Sequence, residues 1–291
     1  MRYAYYPGCA AKSSCLELDV ATKAVASELG IDLVELSEAS CCGAREISSV
    51  RPRLALTLNA RTFALAEKLS PTILTICSTC QLTMSQANDV LKSDRRTLAE
   101  VNETLSNIGL RYGGGVEVKH LLNVLEEDYG FNRLAEKIKV SLDNLNVAAF
   151  YGCHLLRPAR SRRNKTAKPH GPMETLIETL GGRVVDGSGG KVCCGFPVLL
   201  TNEQLAVKMS GDYLKRLKDD GTDCIVTPCP LCHISFDMYQ GKVESALDVK
   251  IDLVVLHLSQ LIGLGLGLNA RQLMTNRNVV SAEALLKRIG L

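Results

Sequence analysis

Tyr5-Tyr6-Pro7-Gly8-Cys9 is an apolar run that ends in Gly-Cys, and the same arrangement returns at Ala149-Phe150-Tyr151-Gly152-Cys153. Each run opens a set of five cysteines in the same order: a single cysteine, an adjacent pair followed by glycine, and a closing C-x2-C. The first set is Cys9, Cys41, Cys42, Cys77 and Cys80, and the second set is Cys153, Cys193, Cys194, Cys229 and Cys232. Two matched sets of this kind indicate a duplicated metal-binding half.

The spacing inside the two sets supports the duplication. The second cysteine of each pair lies 35 positions before the first cysteine of the C-x2-C in both halves. Only the first gap differs, at 32 positions in the first half and 40 in the second. We therefore expect an insertion in the second half, after Cys153.

Composition limits the classes of protein that this chain can be. The 291 residues, with 46% hydrophobic and 22% charged residues, are typical of a globular protein long enough for two domains. No stretch reaches 18 uncharged apolar residues, and no signal pattern opens the chain, so we expect a cytoplasmic protein without a transmembrane segment. A net charge of +3 and the absence of Trp argue against nucleic acid as a partner. In a reducing compartment a framework of disulfides is not expected.

Each half alternates short apolar segments with amphipathic ones. The predicted strands are 2–6, 32–36, 72–76 and 116–119 in the first half, and 147–151, 183–186, 224–227 and 251–256 in the second. The predicted helices are 16–29, 52–69, much of 79–108, 173–180, 203–218 and 231–241. This alternation predicts an α/β protein with two pseudo-repeated domains, 1–143 and 144–291, each with a parallel sheet.

The cysteines follow the predicted strands. In the first half Cys9 comes after the first strand, the Cys41-Cys42 pair after the second and Cys77 after the third. The carboxyl ends of parallel strands share one edge, where open α/β folds place their ligands. We therefore expect all five thiols of a half to gather at that edge.

The number of sulfur donors in each half helps to identify the kind of metal centre that it would bind. A structural zinc ion takes four ligands, usually from two short clips, whereas each half offers five thiols, two of them adjacent. A polynuclear iron–sulfur centre suits five thiolates better, although zinc in at least one half stays open. The glycines beside the thiols would let the backbone approach such a centre; they are Gly8, Gly43, Gly152 and Gly195.

The repeated C…CCG…C-x2-C signature resembles that of the cysteine-rich CCG domain proteins, and its two copies resemble the B-type subunit of heterodisulfide reductase. The resemblance covers about residues 1 to 270. It implies a Rossmann-like domain in each half and two non-cubane 4Fe-4S clusters, one on each set, with all ten matched cysteines as ligands. It also implies that the paired clusters split a disulfide with electrons from a ferredoxin-like iron–sulfur partner, the C-type subunit of such complexes.

The leading interpretation is therefore an oxidoreductase subunit that reduces a disulfide or oxidises thiols, with a small or carrier-bound thiol as substrate. The alternative is an electron-relay or docking subunit of a succinate:quinone reductase-type, glycolate oxidase-type or sulfur-oxidation complex. Either role could hold the protein at a membrane through its partners. A structural two-zinc module is a third possibility.

A few residues outside the two sets are also candidates. Cys224 suits a buried apolar position, and Cys15 starts a predicted helix near Cys9. His154 and His233 adjoin matched cysteines and could donate to sulfur or supply a proton. Residues 157–168 carry six cations and no acid, as a solvated loop or as a surface for an anionic substrate or partner would.

Overall fold

The computed structural model describes residues 1–156, 171–185 and 192–291. Within these ranges the chain forms two four-stranded sheets, and every strand pairing in both is parallel. The strand orders are β2-β1-β3-β4 and β6-β5-β7-β8, so the first strand of each half is flanked by the second and third. The predicted α/β class with two repeated Rossmann-like units is confirmed.

The first half alternates four strands with helices. In chain order its elements are β1 (Arg2–Tyr6), a 3-10 turn (Ala10–Lys12), α1 (Leu16–Leu29), β2 (Asp32–Glu35), α2 (Glu46–Val50), α3 (Pro52–Glu67), β3 (Thr72–Thr75), α4 (Ser78–Ser93), α5 (Arg95–Ser106), β4 (Glu117–His120), α6 (Leu121–Asn123), a π-helical turn (Val124–Tyr129) and α7 (Phe131–Ala135). The inner strands are buried almost throughout, as expected where helices cover both faces of a parallel sheet.

The described part of the second half repeats this order. Its elements are β5 (Asn146–Ala149), α8 (Gly152–Leu156), α9 (Pro172–Thr179), β6 (Arg183–Val184), a 3-10 turn (Phe196–Val198), α10 (Glu203–Asp219), β7 (Cys224–Thr227), α11 (Pro230–Asp237), α12 (Gln240–Leu247), β8 (Val254–His257), α13 (Leu258–Gly265), α14 (Ala270–Leu273), a 3-10 turn (Thr275–Arg277) and α15 (Glu283–Arg288). The predicted strands are found in all eight places, and their ends coincide with the observed ones or differ by at most three residues where they can be compared.

The two halves share a core. Helix α1 packs against α13 and α14, and α4 packs against α8. One apolar cluster includes Leu18 and Val25 of α1 together with Leu261 and Ile262 of α13, all essentially inaccessible to solvent. Since this core crosses from one half to the other, the division at residues 143 and 144 stays a prediction about folding units.

Candidate metal centre

The sheet topology brings the first set of cysteines to one edge. Cys9 follows β1 and Cys77 follows β3, while the Cys41-Cys42 pair lies in the segment after β2. Because β1 lies between β2 and β3, these three segments leave neighbouring strands at the same end. Cys77 caps α4, and its Sγ accepts the backbone N–H of Cys80 at 3.5 Å. Cys80 lies in the first turn of α4.

The five sulfurs of the first set lie in contact. The Sγ atoms of Cys42 and Cys80 are 3.6 Å apart, and Cys41 shares hydrogen bonds with Cys9 and Cys42. Cys80 also contacts Cys77. All five line one cavity of about 250 Å³.

The second set repeats these contacts. Cys194 shares hydrogen bonds with Cys193 and Cys232, and Cys232 contacts Cys229. Cys153 interacts electrostatically with Cys193, as Cys9 does with Cys41. Four of these cysteines line a much smaller cavity of about 20 Å³, whose described lining does not include Cys193.

The two sets meet at their C-x2-C motifs. The thiols of Cys77 and Cys229 lie close enough across the boundary between the halves that the pKa of Cys77 is raised and that of Cys229 is lowered by the other. The sulfur contacts therefore run without interruption from one set into the other. A redox centre held by one set would be an immediate neighbour of a centre held by the other.

Close packing of the thiols distributes their protons unevenly. S–H donation from Cys42 and Cys9 lowers the pKa of Cys41 to about 2, and donation from Cys193 and Cys232 lowers the pKa of Cys194. The donating partner Cys42 has its pKa raised to about 12. These shifts favour the thiolate form, which binds metal, at one cysteine in each set.

Two glycines provide space beside the closing cysteines. Gly8 and Gly152 have φ values of +85° and +69°, which favour glycine, and a Cβ on either would lie 3.1 Å from the Sγ of Cys80 or Cys232. Gly43 and Gly195 differ, because a Cβ there would meet α3 or α10: Ala55 at 3.4 Å for Gly43, and the carbonyl oxygen of Ala206 at 2.6 Å for Gly195. The N–H of Gly43 donates to Cys41 Sγ at 3.4 Å.

Four residues form a wall shared by the two cavities: Arg45, Thr79, Phe196 and Leu231. The Arg45 guanidinium donates to the carbonyl of Pro197 and lies 5.7 Å from the centre of the Phe196 ring. Arg45 has φ +66° and ψ −94°, an unfavourable backbone conformation for a residue with a side chain, and such strain concentrates at functional sites. Its charge therefore sits between the two sets of cysteines.

Two buried histidines cross between the halves in a matched way. His120 ends β4 and His257 ends β8, and neither is exposed to solvent. The Nδ1 atom of each accepts a backbone N–H two residues later, so Nε2 carries the proton. His120 then donates to the carbonyl of Pro228 at 2.9 Å, and His257 to that of Ile76 at 3.1 Å.

Each accepting carbonyl belongs to the residue immediately before the C-x2-C of the opposite half. The last strand of one half thus fixes the position of the cysteine motif of the other. We name His120 and His257 the crossed histidines.

Comparison with known proteins identifies the repeated unit. A family model described as a cysteine-rich domain, CCG, matches residues 3–85 and again residues 147–237. The chain belongs to this family. Its two CCG copies carry the two five-cysteine sets.

Similar proteins span nearly the whole CCG chain. It is 38% identical over 283 residues to the 8-methylmenaquinol:fumarate reductase membrane anchor subunit of Wolinella succinogenes, covering 97% of this chain and 98% of that one. It is 33% identical over 287 residues to the B-type subunit of the ferredoxin/F(420)H(2)-dependent CoB-CoM heterodisulfide reductase of Methanosarcina acetivorans, covering 98% and 95%. The predicted relationship to the B-type subunit of heterodisulfide reductase is confirmed.

A solved structure supports the fold. A hypothetical protein from Helicobacter pylori superposes with a TM-score of 0.75 at 17% identity, over 96% of this chain and 52% of that one. The CCG chain therefore spans about half of that structure, which supports the architecture only. Among the described residues, none of the helices combines the length and apolar character that crossing a bilayer requires.

The donor chemistry of the CCG chain fits an iron–sulfur centre. Five convergent sulfurs, a backbone N–H directed at one of them and a glycine beside the closing cysteine suit a polynuclear cluster with thiolate ligands. The ligand roles of the ten cysteines and the four glycines stay predictions. The two halves supply the same donors in the same order.

The other candidate residues have different places. His154 lines the smaller cavity, with its Nδ1 2.7 Å from Thr79 Oγ1 of the opposite half. Cys224 is fully buried in β7, as predicted, and Cys15 is buried before α1. The basic segment 157–168 lies outside the described residues.

Sequence reasoning did not assign a role to Arg45 or to the crossed histidines. A signal for the histidines exists in the repeat, because each is the last residue of the fourth strand of its half: Val118-Lys119-His120 and Val255-Leu256-His257. No such signal exists for Arg45, since the second half has Pro197 in the corresponding place after its CCG.

Proposed function

We propose that this chain is the iron–sulfur subunit of a heterodisulfide reductase-like complex, in which each five-cysteine set holds a non-cubane 4Fe-4S cluster. Its substrate is a disulfide, or the corresponding thiols in the reverse direction, bound in the crevice between the halves. The observation that carries the proposal is the uninterrupted series of sulfur contacts beneath that crevice, joined through Cys77 and Cys229. When bound, the clusters supply one-electron redox steps and sites for sulfur.

Arg45 gives the crevice a preference for anions. It borders both cavities, and its guanidinium contacts the Pro197 carbonyl, the Phe196 ring and, at 3.4 Å, the neighbouring Glu46. A guanidinium in such a position binds carboxylate or sulfonate groups by charge-assisted hydrogen bonds. We therefore propose that the thiol substrate carries an acidic group.

His154 and Thr79 supply the proton side of the reaction. Reducing a disulfide consumes two electrons and two protons and yields two thiols, with the electrons coming from a partner protein. The imidazole of His154, held by the Thr79 hydroxyl at 2.7 Å, can hold one of these protons next to Cys229, whose Sγ is 3.8 Å from Thr79 Oγ1. Phe196 and Leu231 cover the crevice and limit the access of water.

A ferredoxin-like partner and the cytoplasmic face of a membrane complex fit this role. The Wolinella and Methanosarcina relatives are subunits of reductases, and the CCG chain contains neither a flavin motif nor a second cluster motif in its sequence. Electrons must therefore enter through a partner. We propose a ferredoxin-like iron–sulfur protein of the C type as that partner.

The test uses the anaerobically purified, iron-loaded protein with reduced ferredoxin-type donor and a disulfide that carries carboxylates. Arg45→Gln should raise KM for this disulfide about tenfold or more, since a charge-assisted contact is lost. Arg53→Gln is the matched control, because Arg53 is 86% exposed and pairs with Glu100 away from the crevice. An Arg45→Gln enzyme with unchanged KM for charged and neutral disulfides alike would contradict the proposed substrate class.

A second function is favoured by the 38% identity to the Wolinella fumarate reductase subunit. In this alternative the clusters relay electrons between other subunits and no disulfide binds. Cluster EPR separates the two roles: a signal that changes when thiol substrate is added supports catalysis, whereas a signal that responds only to redox partners supports the relay.

A further inference from the structure

A third group of metal-binding side chains lies outside the two five-cysteine sets. Cys15, Glu17 and His233 each offer one ligand atom, and these atoms all lie within 4.8 Å of one another. The three residues are nearly inaccessible, at 1%, 4% and 1% exposure. Burial of a thiol, a carboxyl and an imidazole together is costly unless they hold each other or a cation.

The group joins the two halves of the chain. Cys15 immediately precedes α1 and Glu17 lies in its first turn, whereas His233 belongs to α11 of the second half. A ligand bound by all three would therefore tie α1 to α11. None of the three belongs to the repeated signature, so the duplication does not explain their meeting.

His233 points to a ligand. Neither of its ring nitrogens has a partner in hydrogen-bonding geometry, and burial lowers the pKa of His233 to about 4 although the nearby Val255 backbone acts in the opposite direction. Buried polar atoms without a partner are rare and call for an explanation, and a bound metal ion is one. Imidazole is also the most frequent nitrogen ligand of metals in proteins.

We propose that Cys15, Glu17 and His233 bind a zinc ion. Zinc accepts mixed sulfur, oxygen and nitrogen ligands in tetrahedral geometry, and a thiolate and a carboxylate neutralise its two charges inside the protein. Asp237, one turn after His233, already accepts the N–H groups of Val279 and Val280 at 2.8 and 3.0 Å. In the proposed site a water molecule takes the fourth position.

The charged and ionisable groups around the three proposed ligands are compatible with zinc binding. The Arg277 guanidinium is 3.6 Å from Glu17 Oε2. It can hold the carboxylate in place through this oxygen and leave the other oxygen for the zinc ion. Burial raises the pKa of Cys15 to about 12 and also raises the pKa of Glu17. Zinc binding therefore releases the proton of the Cys15 thiol and tightens as the pH rises.

The test measures zinc and iron in the same sample of full-length protein purified without oxygen. We expect about one zinc per chain in addition to the iron, with a zinc K-edge spectrum showing one sulfur at about 2.3 Å and nitrogen or oxygen ligands near 2.0–2.1 Å. Cys15→Ala and Glu17→Gln should lose this zinc and keep their iron. Cys224→Ala, which removes an equally buried cysteine elsewhere, should keep both.

Three results would overturn the proposal: wild-type protein without zinc, zinc with an all-sulfur shell, or zinc retained in both Cys15→Ala and Glu17→Gln. The wild-type spectrum decides the matter even where a variant fails to fold. The iron content reports separately on the cluster sites, so loss of the zinc proposal and loss of the proposed function give different results.

Discussion

The two halves of the molecule present the same sulfur contacts in cavities of very different size. The first set lines about 250 Å³ with all five cysteines, and the second lines about 20 Å³ with four. The residue after the CCG also differs: it is the small Ala44 in the first half and Phe196, which lines both cavities, in the second. The repeat thus determines the order of the donors, while unrepeated side chains determine the room around them.

The largest effect is expected from removing a closing cysteine in one half only. Under the proposal that each set holds its own cluster, Cys80→Ser should lose about half of the iron and Cys232→Ser the other half. Iron and sulfide analysis with EPR of each variant measures this. Loss of all iron from either variant would show that the two sets form one site.

A smaller effect is expected at the glycines beside these cysteines. Gly8→Ala and Gly152→Ala place a Cβ 3.1 Å from a cysteine Sγ at positive φ, so each should lower stability by about 1–2 kcal/mol and reduce iron in its own half. Denaturant unfolding and iron analysis measure the two effects.

Gly30→Ala is the control for the glycine variants, because Gly30 has φ +67° but nothing within 4 Å of its added Cβ. It should reproduce the loss of stability caused by backbone strain and leave the iron unchanged. Equal iron loss in Gly30→Ala would mean that contact with sulfur is not the cause.

Each crossed histidine belongs to one half and hydrogen-bonds to the other. Substituting them therefore tests how each half supports the cysteine set of the other. His257→Leu removes the donor to the buried Ile76 carbonyl, which should cost about 1–3 kcal/mol in unfolding free energy, whereas His120→Leu should cost less, because the Pro228 carbonyl still accepts from the Ser78 hydroxyl at 3.3 Å. His120→Leu should also alter the EPR signal of the second set, and His257→Leu that of the first. If each variant instead altered the EPR signal of the cysteine set in its own half, the assignment of each histidine to the opposite set would be wrong.

The smallest effect concerns pH. Burial lowers the pKa of His257 to about 3, below its ordinary value of 6.5, so the unfolded chain takes up a proton that the folded chain excludes. The contribution of His257 to the unfolding free energy is complete above about pH 6.5. It falls by about 1 kcal/mol as the pH drops by one unit below that value. His257→Leu should show a shallower acid dependence of unfolding than the wild type, and an identical dependence would mean that this imidazole is not excluded from protonation.

Much of the fold could be predicted because its signals are local. Helix α1 was expected at 16–29 and is found there, ended by Gly30 with φ +67°. Much of 79–108 was expected to be helical and is, but in two helices, because Asp94 ends α4 and accepts the N–H groups of Arg96 and Thr97 to begin α5. Similarly, the segment 231–241 divides into α11 and α12.

The gathering of the cysteines could also be predicted, since it follows from strands that share an edge. The crossed histidines could not, because their partner carbonyls are 108 and 181 positions away along the chain. The meeting of Cys15, Glu17 and His233 likewise depends on how the two halves pack. Sequence periodicity within one half contains no information about that packing.

The most direct test of the central claim is the amount of iron and acid-labile sulfide in the protein purified without oxygen. Two four-iron clusters predict about eight of each per chain, with EPR signals from both halves after mild oxidation. Protein that contains zinc on both cysteine sets, with no iron and no sulfide, would contradict the claim.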